Sequence, residues 1–314
     1  MADVKKIATR QGYGEALKEL GAVHDNIVVF DADLAGSTQT AMFGKAFPDR
    51  HFNCGIAEGN MMAAAAGAAA MGMVAFASSF AMFAAGRAYE QVRNSIGYTG
   101  LNVKIGASHG GISVGEDGAT HQCLEDFALM RSIPGMVVMS PADAVEAKAM
   151  VKAAYEHEGP VYMRFGRSPV PVFHDEESFT FTIGRGEVMR DGTDVAIIAN
   201  GLLVAEAVEA GKLLAERGVS ARIINMATIK PLDEEIVLKA AAECGRIVTC
   251  EEHSIIGGLG EAVCSLLSES RPTPVRRIGT PDVFGHSGPA AALLEQFGLC
   301  AAHIAQVAEE FSKG

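Results

Sequence analysis

The sequence lacks the features that mark disulfide-rich, zinc-binding, exported and repetitive proteins. No CxxC pair occurs among its scattered cysteines, which are Cys54, Cys123, Cys244, Cys250, Cys264 and Cys300. We therefore expect reduced, buried thiols and a cytosolic location. The N-terminal segment MADVKKIATRQGYG has no apolar core of the signal-peptide type, so nothing in it suggests export. No solenoid-like repeat or low-complexity tail occurs along the chain.

Basic residues are fewer than acidic ones. The chain carries 26 Lys and Arg against 38 Asp and Glu, which gives a formal net charge of -12. This balance disfavours nucleic acid as a partner, although an anionic substrate needs only a local basic cluster. The length of 314 residues, with 49% apolar and 20% charged residues, is sufficient for the cores of two globular domains.

Charge is absent altogether between Glu58 and Arg87. About 20 apolar residues can span a bilayer. Here, however, Ala and Gly dominate, Ser78 and Ser79 interrupt the run, and no basic cluster flanks it. The better interpretation is a closely packed helix over about 60–71, a buried strand over 73–77, a loop over 78–83 and a second helix from Gly86.

Glu58 is the first functional candidate, because it stands at the edge of this uncharged stretch. A carboxylate buried beside apolar residues loses its hydration. It must then be protonated, paired with a charge, or hydrogen-bonded to a group brought in from outside.

Apolar strand patterns alternate with helical patterns along both halves of the chain, which predicts a mostly parallel sheet in each. We predict an α/β fold of two domains, each with its sheet flanked by helices. The first domain spans 1–168 and the second spans 191–314. Residues 169–190, rich in Gly, Pro and acidic side chains, are predicted to form a linker that ends in a hairpin.

A glycine-rich loop, HGGISVGEDGATHQ, follows a predicted strand and carries His109, Glu116, Asp117 and His121. Such groups can bind hydroxyls and move protons. The alternative is a surface loop with ordinary turn-forming residues.

The GGLG sequence at 257–260 also has two interpretations, phosphate binding or close packing of a strand against a helix. The latter is favoured because the full GxGxxG spacing is missing. Glu251, Glu252 and His253 nearby are candidates for an interface between the domains.

Basic and aromatic candidates lie at other predicted strand or helix ends. Arg10 and Arg164, with Ser37, would suit an anion such as a sugar phosphate, but each arginine could equally be solvated or cap a helix. Phe80 and Phe83 could offer a flat ring for stacking beside Glu58, or could simply pack in the core.

Taken in order, the motifs ATR at 8–10, DADLAGS at 31–37, GIAEGNM at 55–61, SFAMF at 79–83 and SHGGISVGEDGATHQ at 108–122 resemble the C-terminal half of a transketolase. The resemblance covers nearly the whole chain. Similar sequences of this length are the second subunit of split, two-gene transketolases. The resemblance implies a pyrimidine-binding domain followed by the transketolase C-terminal domain.

The resemblance also implies thiamine diphosphate chemistry, in which a two-carbon ketol unit passes from a ketose phosphate to an aldose phosphate. Glu58 aligns with the glutamate that hydrogen-bonds N1′ of the aminopyrimidine and so promotes proton removal from the thiazolium. Phe83 aligns with the aromatic residue that stacks on the pyrimidine, with Phe80 close behind. His121 is expected at the donor oxygens near the reacting carbon and Asp117 at a substrate hydroxyl. The substrate's terminal phosphate is assigned to Arg10, Ser37, His109 and Arg164.

Part of the family's active site is missing from this sequence. The GDG and NN signature that holds the diphosphate and its metal does not occur. The resemblance therefore implies a separate N-terminal subunit in an α2β2 assembly. The metal ion, which is Mg2+, Ca2+ or Mn2+, would be bound mainly by that subunit. No metal ligand is assigned in this chain. Family members also commonly have His where this chain has Gly59 and Tyr where it has Gly86.

Three other functions remain open. A subunit similar to 1-deoxyxylulose-5-phosphate synthase would have a similar GxDGxTH loop, but it usually lacks the SHGG sequence that contains His109. A β subunit of a 2-oxoacid dehydrogenase lacks the combined GEDG and THQ pattern. A catalytically silent partner of the same fold is disfavoured because Glu58, His109, Asp117 and His121 all occur here. The sugars also stay open, in the pentose phosphate pathway or a specialised one that handles, for example, a sulfonated sugar.

Overall fold

Two separate sheets organise the chain in the computed structural model, which describes residues 5–313. The strands are β1 Lys6–Ala8, β2 Ile27–Asp31, β3 His51–Asn53, β4 Val74–Phe80, β5 Val103–Ser108, β6 Val137–Met139, β7 Val161–Phe165, β8 Pro169–Pro171, β9 Glu187–Arg190, β10 Val195–Ala199, β11 Ala221–Asn225, β12 Thr228–Lys230, β13 Ile247–Ser254 and β14 Val275–Thr280.

The α-helices alternate with these strands. They are α1 Thr9–Val23, α2 Ala35–Thr38, α3 Ala41–Ala46, α4 Glu58–Ala70, α5 Tyr89–Gln91, α6 Asp126–Arg131, α7 Ala144–Glu156, α8 Leu203–Glu216, α9 Glu234–Cys244, α10 Leu259–Ser270, α11 Ala290–Gln296 and α12 Ala301–Lys313. The π-helical turns Met82–Arg87 and Val92–Gly97 flank α5.

The first sheet has the strand order β12-β6-β7-β5-β4-β2-β3, and all neighbours are parallel except the antiparallel β12–β6 pair. Its inner strands β2, β4, β5, β6 and β7 are buried along their whole length, as expected of a parallel sheet covered by helices. Along β4, Phe76 packs with residues of α1, α3 and α7, whereas Ala75 and Ala77 pack with α4 and the π-helical segments. Helices therefore cover both sides.

The second sheet has the order β14-β13-β10-β11-β9, with only β9 antiparallel to its neighbour. Residues of α8 and α12 fill the core on one face, and residues of α9 and α10 fill it on the other. Each half is therefore a mostly parallel sheet between helices, and the predicted fold class is confirmed.

The predicted linker is divided between the two sheets in the structure. Strand β8 pairs with β1 of the first half, and β9 joins the second sheet beside β11. Only residues 172–186 between them contain no helix or strand. The predicted hairpin is not formed, because the partner of β9 is β11 and not the preceding strand.

The uncharged stretch folds into the first domain. Its first part forms α4, and its second part forms the central strand β4 between β2 and β5. The strand continues through Phe80, beyond the predicted end, because Ser78 lies in the buried ladder and its Oγ is 2.6 Å from the Tyr13 hydroxyl. Residues 290–313 meet the length and composition of a membrane span. They form α11 and α12, with Ile304, Ala305 and Ala308 buried in the second domain.

Buried polar contacts join the two domains. Glu252, at the end of β13, accepts a hydrogen bond from the Ser113 backbone N–H at 2.6 Å. Elsewhere at the joint, the Glu146 carboxylate of α7 accepts hydrogen bonds from Asn225 Nδ2 at 2.9 and 3.0 Å. Glu252 therefore occupies the predicted interface between the domains.

Candidate active site

The candidate side chains gather at the carboxyl edge of the first sheet, where β2, β4, β5 and β7 end. Ligand sites of parallel sheets form at this edge, because loops from several strands meet there. Asp31 shapes one of these loops. Its buried carboxylate accepts hydrogen bonds from Thr38 Oγ1, Thr40 Oγ1 and the Leu34 N–H, and burial raises its pKa. The turn that carries Ser37 is thereby fixed.

Glu58 is buried, with 1% exposure, at the first position of α4. A helix N-terminus stabilises negative charge through the unpaired N–H groups of its first turn. Both carboxylate oxygens accept hydrogen bonds from Arg87 Nη1, at 3.1 and 2.9 Å. The sequence argument required a partner for this acid, and Arg87 is that partner.

Two phenylalanines form a stacked pair beside this carboxylate. Phe80 ends β4, Phe83 lies on the following π-helical turn, and their ring centroids are 6.0 Å apart with planes 16° apart. Phe80 stacks on the His109 ring at 3.9 Å. The Arg87 guanidinium carbon lies 4.5 Å from the Phe83 centroid. π-Helical turns are frequent at functional sites, and this one presents Phe83 and Arg87 together.

His109 is held in an uncommon conformation directly after β5. Its φ of 57° lies in the left-handed region, where non-glycine residues cost energy and cluster at functional sites. Nδ1 is 2.9 Å from Ser108 Oγ. Burial, with the nearby Arg10, Arg167 and His121, lowers the pKa of His109 to about 3. The ring is therefore neutral at physiological pH.

A positive cluster stands around His109. Arg10 Nη1 donates to the Ser37 carbonyl at 2.7 Å, and burial together with Arg167 lowers the pKa of Arg10. Arg167 donates to the Val114 carbonyl and to Glu116 Oε2, the latter at 2.9 Å. Two guanidinium groups close enough for Arg167 to lower the pKa of Arg10 form a natural site for an anion.

The glycine-rich loop brings His121 to the aromatic pair. Gly111, Gly115 and Gly118 have positive φ, and these glycines allow the loop to turn back on itself. His121 meets the Phe83 ring edge-on with centroids 5.2 Å apart, and its Nδ1 is 2.9 Å from Thr120 Oγ1. Asp117 lies on the exposed part of the same loop.

Arg164, which was predicted at the substrate's terminal phosphate, has its guanidinium buried at the joint between the domains. It lies inside β7 with 5% exposure. Its guanidinium donates to the main-chain oxygens of Glu252 and Cys123 and lies 3.3 Å from Asp126. Arg164 therefore serves the joint between the domains, because its donors are directed into that interface.

Sequence reasoning missed two residues of the site, Arg87 and Arg167. Arg87 is the first charge after Glu58, so the length of the uncharged run was itself a signal that the two could pair. Arg167 follows Gly166, just beyond the end of β7, where ligand groups of parallel sheets are expected.

A cavity of about 600 Å3 opens beside the site. Its wall includes Phe83, Arg87, Gln122, Glu125 and Phe284, so both domains contribute. Phe284 is 87% exposed. Within residues 5–313, no three His, Cys, Asp or Glu side chains converge in a way that could hold a metal ion.

Side chains of this protein fill the space around Gly59 and Gly86. A Cβ added at Gly86 would lie 2.2 Å from Met82 Cε, and one at Gly59 would lie 3.0 Å from Gln91 Oε1. The lining of the pocket thus differs locally from the pattern that the resemblance implies.

The GGLG turn binds a carboxylate of the same chain. Glu251 accepts hydrogen bonds from the backbone N–H groups of Leu259 and Gly260, at 2.6 and 2.8 Å. A Cβ at Gly258 would lie 1.9 Å from Glu251 Oε2. The close packing of strand against helix is confirmed, and Glu251 caps the N-terminus of α10.

Comparisons with known proteins agree with this geometry. Residues 5–172 match the family model of the transketolase pyrimidine-binding domain, and residues 184–304 match that of the transketolase C-terminal domain. A Methanocaldococcus jannaschii protein provisionally named transketolase C-terminal section is 52% identical over 307 residues, 97% of this chain and 96% of that protein. A 6-deoxy-6-sulfo-D-fructose transketolase subunit of a Clostridium species is 43% identical over 97% of this chain and 94% of its own length.

The solved structures include a split-gene transketolase, an inactive β4 tetramer, with 52% sequence identity to this chain and a TM-score of 0.90. The match covers 97% of this chain and 98% of that one. Both predicted domain types and the resemblance on which they rested are confirmed.

Proposed function

This chain belongs to the transketolase family as the C-terminal subunit of a split member, and from that premise we propose that it transfers a two-carbon ketol unit between sugar phosphates. The family depends on thiamine diphosphate, which supplies the carbon nucleophile and the electron sink when bound. One observation carries the proposal, the buried Glu58 carboxylate close to the Phe83 ring, with Arg87 in contact with both.

The site passes a test of fit for the aminopyrimidine ring of that cofactor. The Arg87 guanidinium, a planar group with nitrogen donors, lies over Phe83 and hydrogen-bonds Glu58 at the same time. A planar nitrogen-bearing group of similar thickness can therefore use both contacts. In this proposal Phe83 stacks on the ring, Phe80 supports Phe83, and Glu58 accepts a hydrogen bond from the ring nitrogen.

Glu58 is the acid–base residue of the proposed mechanism. Its carboxylate, which is 1% exposed, would share a proton with a bound aminopyrimidine, and burial makes such an interaction stronger than in solution. Its place in the first turn of α4 fixes the carboxylate on a rigid element. His121, which meets Phe83 edge-on, would contact donor oxygens near the reacting carbon, and the exposed Asp117 would bind a substrate hydroxyl.

The substrate anion is assigned to the positive cluster. Arg10 and Arg167 supply charge-assisted hydrogen bonds, Ser37 lies on the turn that Arg10 contacts, and neutral His109 stands between them. Arg167 takes the role first predicted for Arg164. Such a cluster would accept a phosphate or a sulfonate. This is relevant because one relative is named as acting on 6-deoxy-6-sulfo-D-fructose.

The remaining half of the active site is assigned to an N-terminal subunit that carries the diphosphate and metal signature missing from this sequence. We place Mg2+, or Ca2+ or Mn2+, mainly on that subunit, and we propose an α2β2 assembly in the cytosol. The related split-gene β4 tetramer is an inactive one, which supports the expectation that this chain has no activity by itself.

The test is co-expression with the N-terminal subunit from the neighbouring gene and an assay with thiamine diphosphate and Mg2+. Xylulose 5-phosphate plus ribose 5-phosphate and a 6-sulfonated ketose should be compared as donor systems. We expect the complex to turn over one of them and the chain alone to turn over neither. Activity of the purified chain without a partner would contradict the divided site.

Replacing Glu58 tests the assigned chemistry. We expect Glu58→Gln to lower kcat of the complex by roughly 10²- to 10⁴-fold, the range typical of a lost acid–base group. Glu90→Gln is the matched control, because Glu90 is exposed and, among residues 5–313, its side chain accepts hydrogen bonds only from Gln91 and Asn94. Near-normal turnover by Glu58→Gln would remove the basis of the proposal.

A further inference from the structure

Arg87 covers two surfaces of the site at once. Its Nη1 lies 3.1 and 2.9 Å from the two Glu58 carboxylate oxygens, and its guanidinium carbon lies 4.5 Å from the Phe83 ring centroid. Within residues 5–313 these are the hydrogen bonds that its side chain makes. The guanidinium is thus held only by the two groups that the proposed function assigns to the aminopyrimidine.

The guanidinium and a pyrimidine ring compete for the same place. A guanidinium is a planar N–C–N cation that stacks on aromatic faces and donates to carboxylates, and an aminopyrimidine offers a planar ring with comparable nitrogen groups. Phe80 also stacks against Phe83, with ring centroids 6.0 Å apart. The part of the Phe83 ring that Arg87 covers is therefore a surface that a second planar group could occupy once Arg87 has moved.

We propose that Arg87 is a gating residue of the cofactor site, which occupies the aminopyrimidine position in the free subunit and leaves it when the cofactor binds. This inference rests on the proposed function. The Arg87 side chain is 50% exposed, so it can swing away without opening the core. The adjoining cavity carries Glu125 and Asp282 on its wall, and these carboxylates would offer the displaced cation a new electrostatic environment.

In a subunit without its partner, Arg87 stabilises the empty cofactor site. A carboxylate buried as deeply as Glu58 is costly without a counter-charge, and Arg87 supplies one while keeping Glu58 and Phe83 in a binding arrangement. A ligand must then displace Arg87, so its apparent affinity is reduced by the fraction of closed site. Displacing Arg87 breaks one stacking contact with Phe83 and one half-exposed ion pair with Glu58. The loss of these two contacts corresponds to a reduction in apparent ligand affinity of about tenfold.

The test uses the full-length free chain and the fragment 4-amino-5-hydroxymethyl-2-methylpyrimidine, with binding measured by calorimetry or ligand-observed NMR. We expect Arg87→Ala to bind the fragment about tenfold more tightly than the unaltered chain. Arg93→Ala is the matched control. Arg93 is exposed on the next turn, carries the same charge and donates to its neighbour Asn94, so its removal should leave affinity unchanged.

A second measurement does not depend on the folding of the variant. In the unaltered complex with the N-terminal subunit, the 15N side-chain signals of arginine should show one guanidinium that exchanges its protons faster after thiamine diphosphate is added. Unchanged or weaker fragment binding by a folded Arg87→Ala chain, or an unchanged guanidinium signal on cofactor binding, overturns the gate and leaves the proposed function intact. Failure of the complex to bind thiamine diphosphate overturns both.

Discussion

Two arginines three positions apart on the same strand and its following loop have different surroundings. Arg164 lies in β7 and is buried at the domain joint, whereas Arg167 lies past the strand end and is 37% exposed beside Glu116. The sequence pattern identifies a basic residue near this strand end. The pattern does not show which of the two arginines lies beyond the last hydrogen-bonded residue of β7, because that depends on where the strand ends.

Exchanging each arginine for alanine should separate the two roles. We expect Arg167→Ala to raise the KM for the phosphorylated or sulfonated donor about tenfold or more, because a charge-assisted hydrogen bond is lost, while the melting temperature changes little. Arg164→Ala should instead lower the free energy of unfolding by about 3–5 kcal/mol, because Asp126 is left buried without its counter-charge. Steady-state kinetics of the complex and urea unfolding of the chain measure the two effects. A large KM effect from Arg164→Ala in a stable protein would contradict this division.

The acidic and aromatic site residues were predictable, whereas the pairing within the site was not. Glu58 could be found because no charge follows it for a long stretch, and Phe80 and Phe83 because they lie in a predicted loop beside Glu58. The contact of Arg87 with both Glu58 and Phe83 depends on a π-helical turn, whose spacing a 3.6-residue pattern does not reveal.

At the scale of elements, close helix contacts depend on individual glycines. In α1, a Cβ added at Gly12 would lie 2.3 Å from the Ala144 carbonyl oxygen at the start of α7. In α4, Gly67 is exposed and a Cβ there would meet nothing within 4 Å. The same residue type thus permits close packing in one helix and has no packing role in the other.

The two glycines should respond oppositely to alanine. We expect Gly12→Ala to destabilise the chain by about 1–3 kcal/mol, because the backbone of α7 must shift. Gly67→Ala should stabilise it by about 0.5–1 kcal/mol, because alanine restricts the unfolded chain and favours the helix. Urea unfolding of the free chain measures both. If both substitutions changed the free energy of unfolding equally, α7 would be shown to shift away from α1 at little cost.

Element types were predictable from alternation and glycine placement, and strand pairing was less so. The GGLG turn was correctly interpreted as packing, because it lacks the spacing of a phosphate loop. The partner of β9 was missed, since the antiparallel contact with β11 joins segments far apart in sequence.

At the scale of the whole molecule, the domain joint contains a titratable group. Glu146 of α7 meets Asn225 of the second sheet, and burial raises its pKa to about 7 despite hydrogen bonds from the Ala142 N–H and Asn225. The folded chain therefore keeps a proton that the unfolded chain releases near pH 4.5. The stability contributed by this proton is fully present below about pH 4.5 and is lost as pH rises through about 7.

Comparison with Glu146→Gln isolates this effect from other titrating groups. The free energy of unfolding of the unaltered chain, minus that of the variant, should fall between about pH 4.5 and 7. Its slope should approach about 1.4 kcal/mol per pH unit. Glu156→Gln, at the exposed end of the same helix, should follow the unaltered chain. Urea unfolding at several pH values gives these curves, and a difference independent of pH would show that Glu146 is ionised throughout.

Strand β12 comes after three strands of the second sheet, yet it completes the edge of the first by pairing with β6. A cut placed anywhere between the sheets would strip Val137–Met139 of that neighbour and leave a bare template for self-association. The first half therefore needs a strand from beyond the second half's opening strands, and the two halves have to be produced and engineered as one chain.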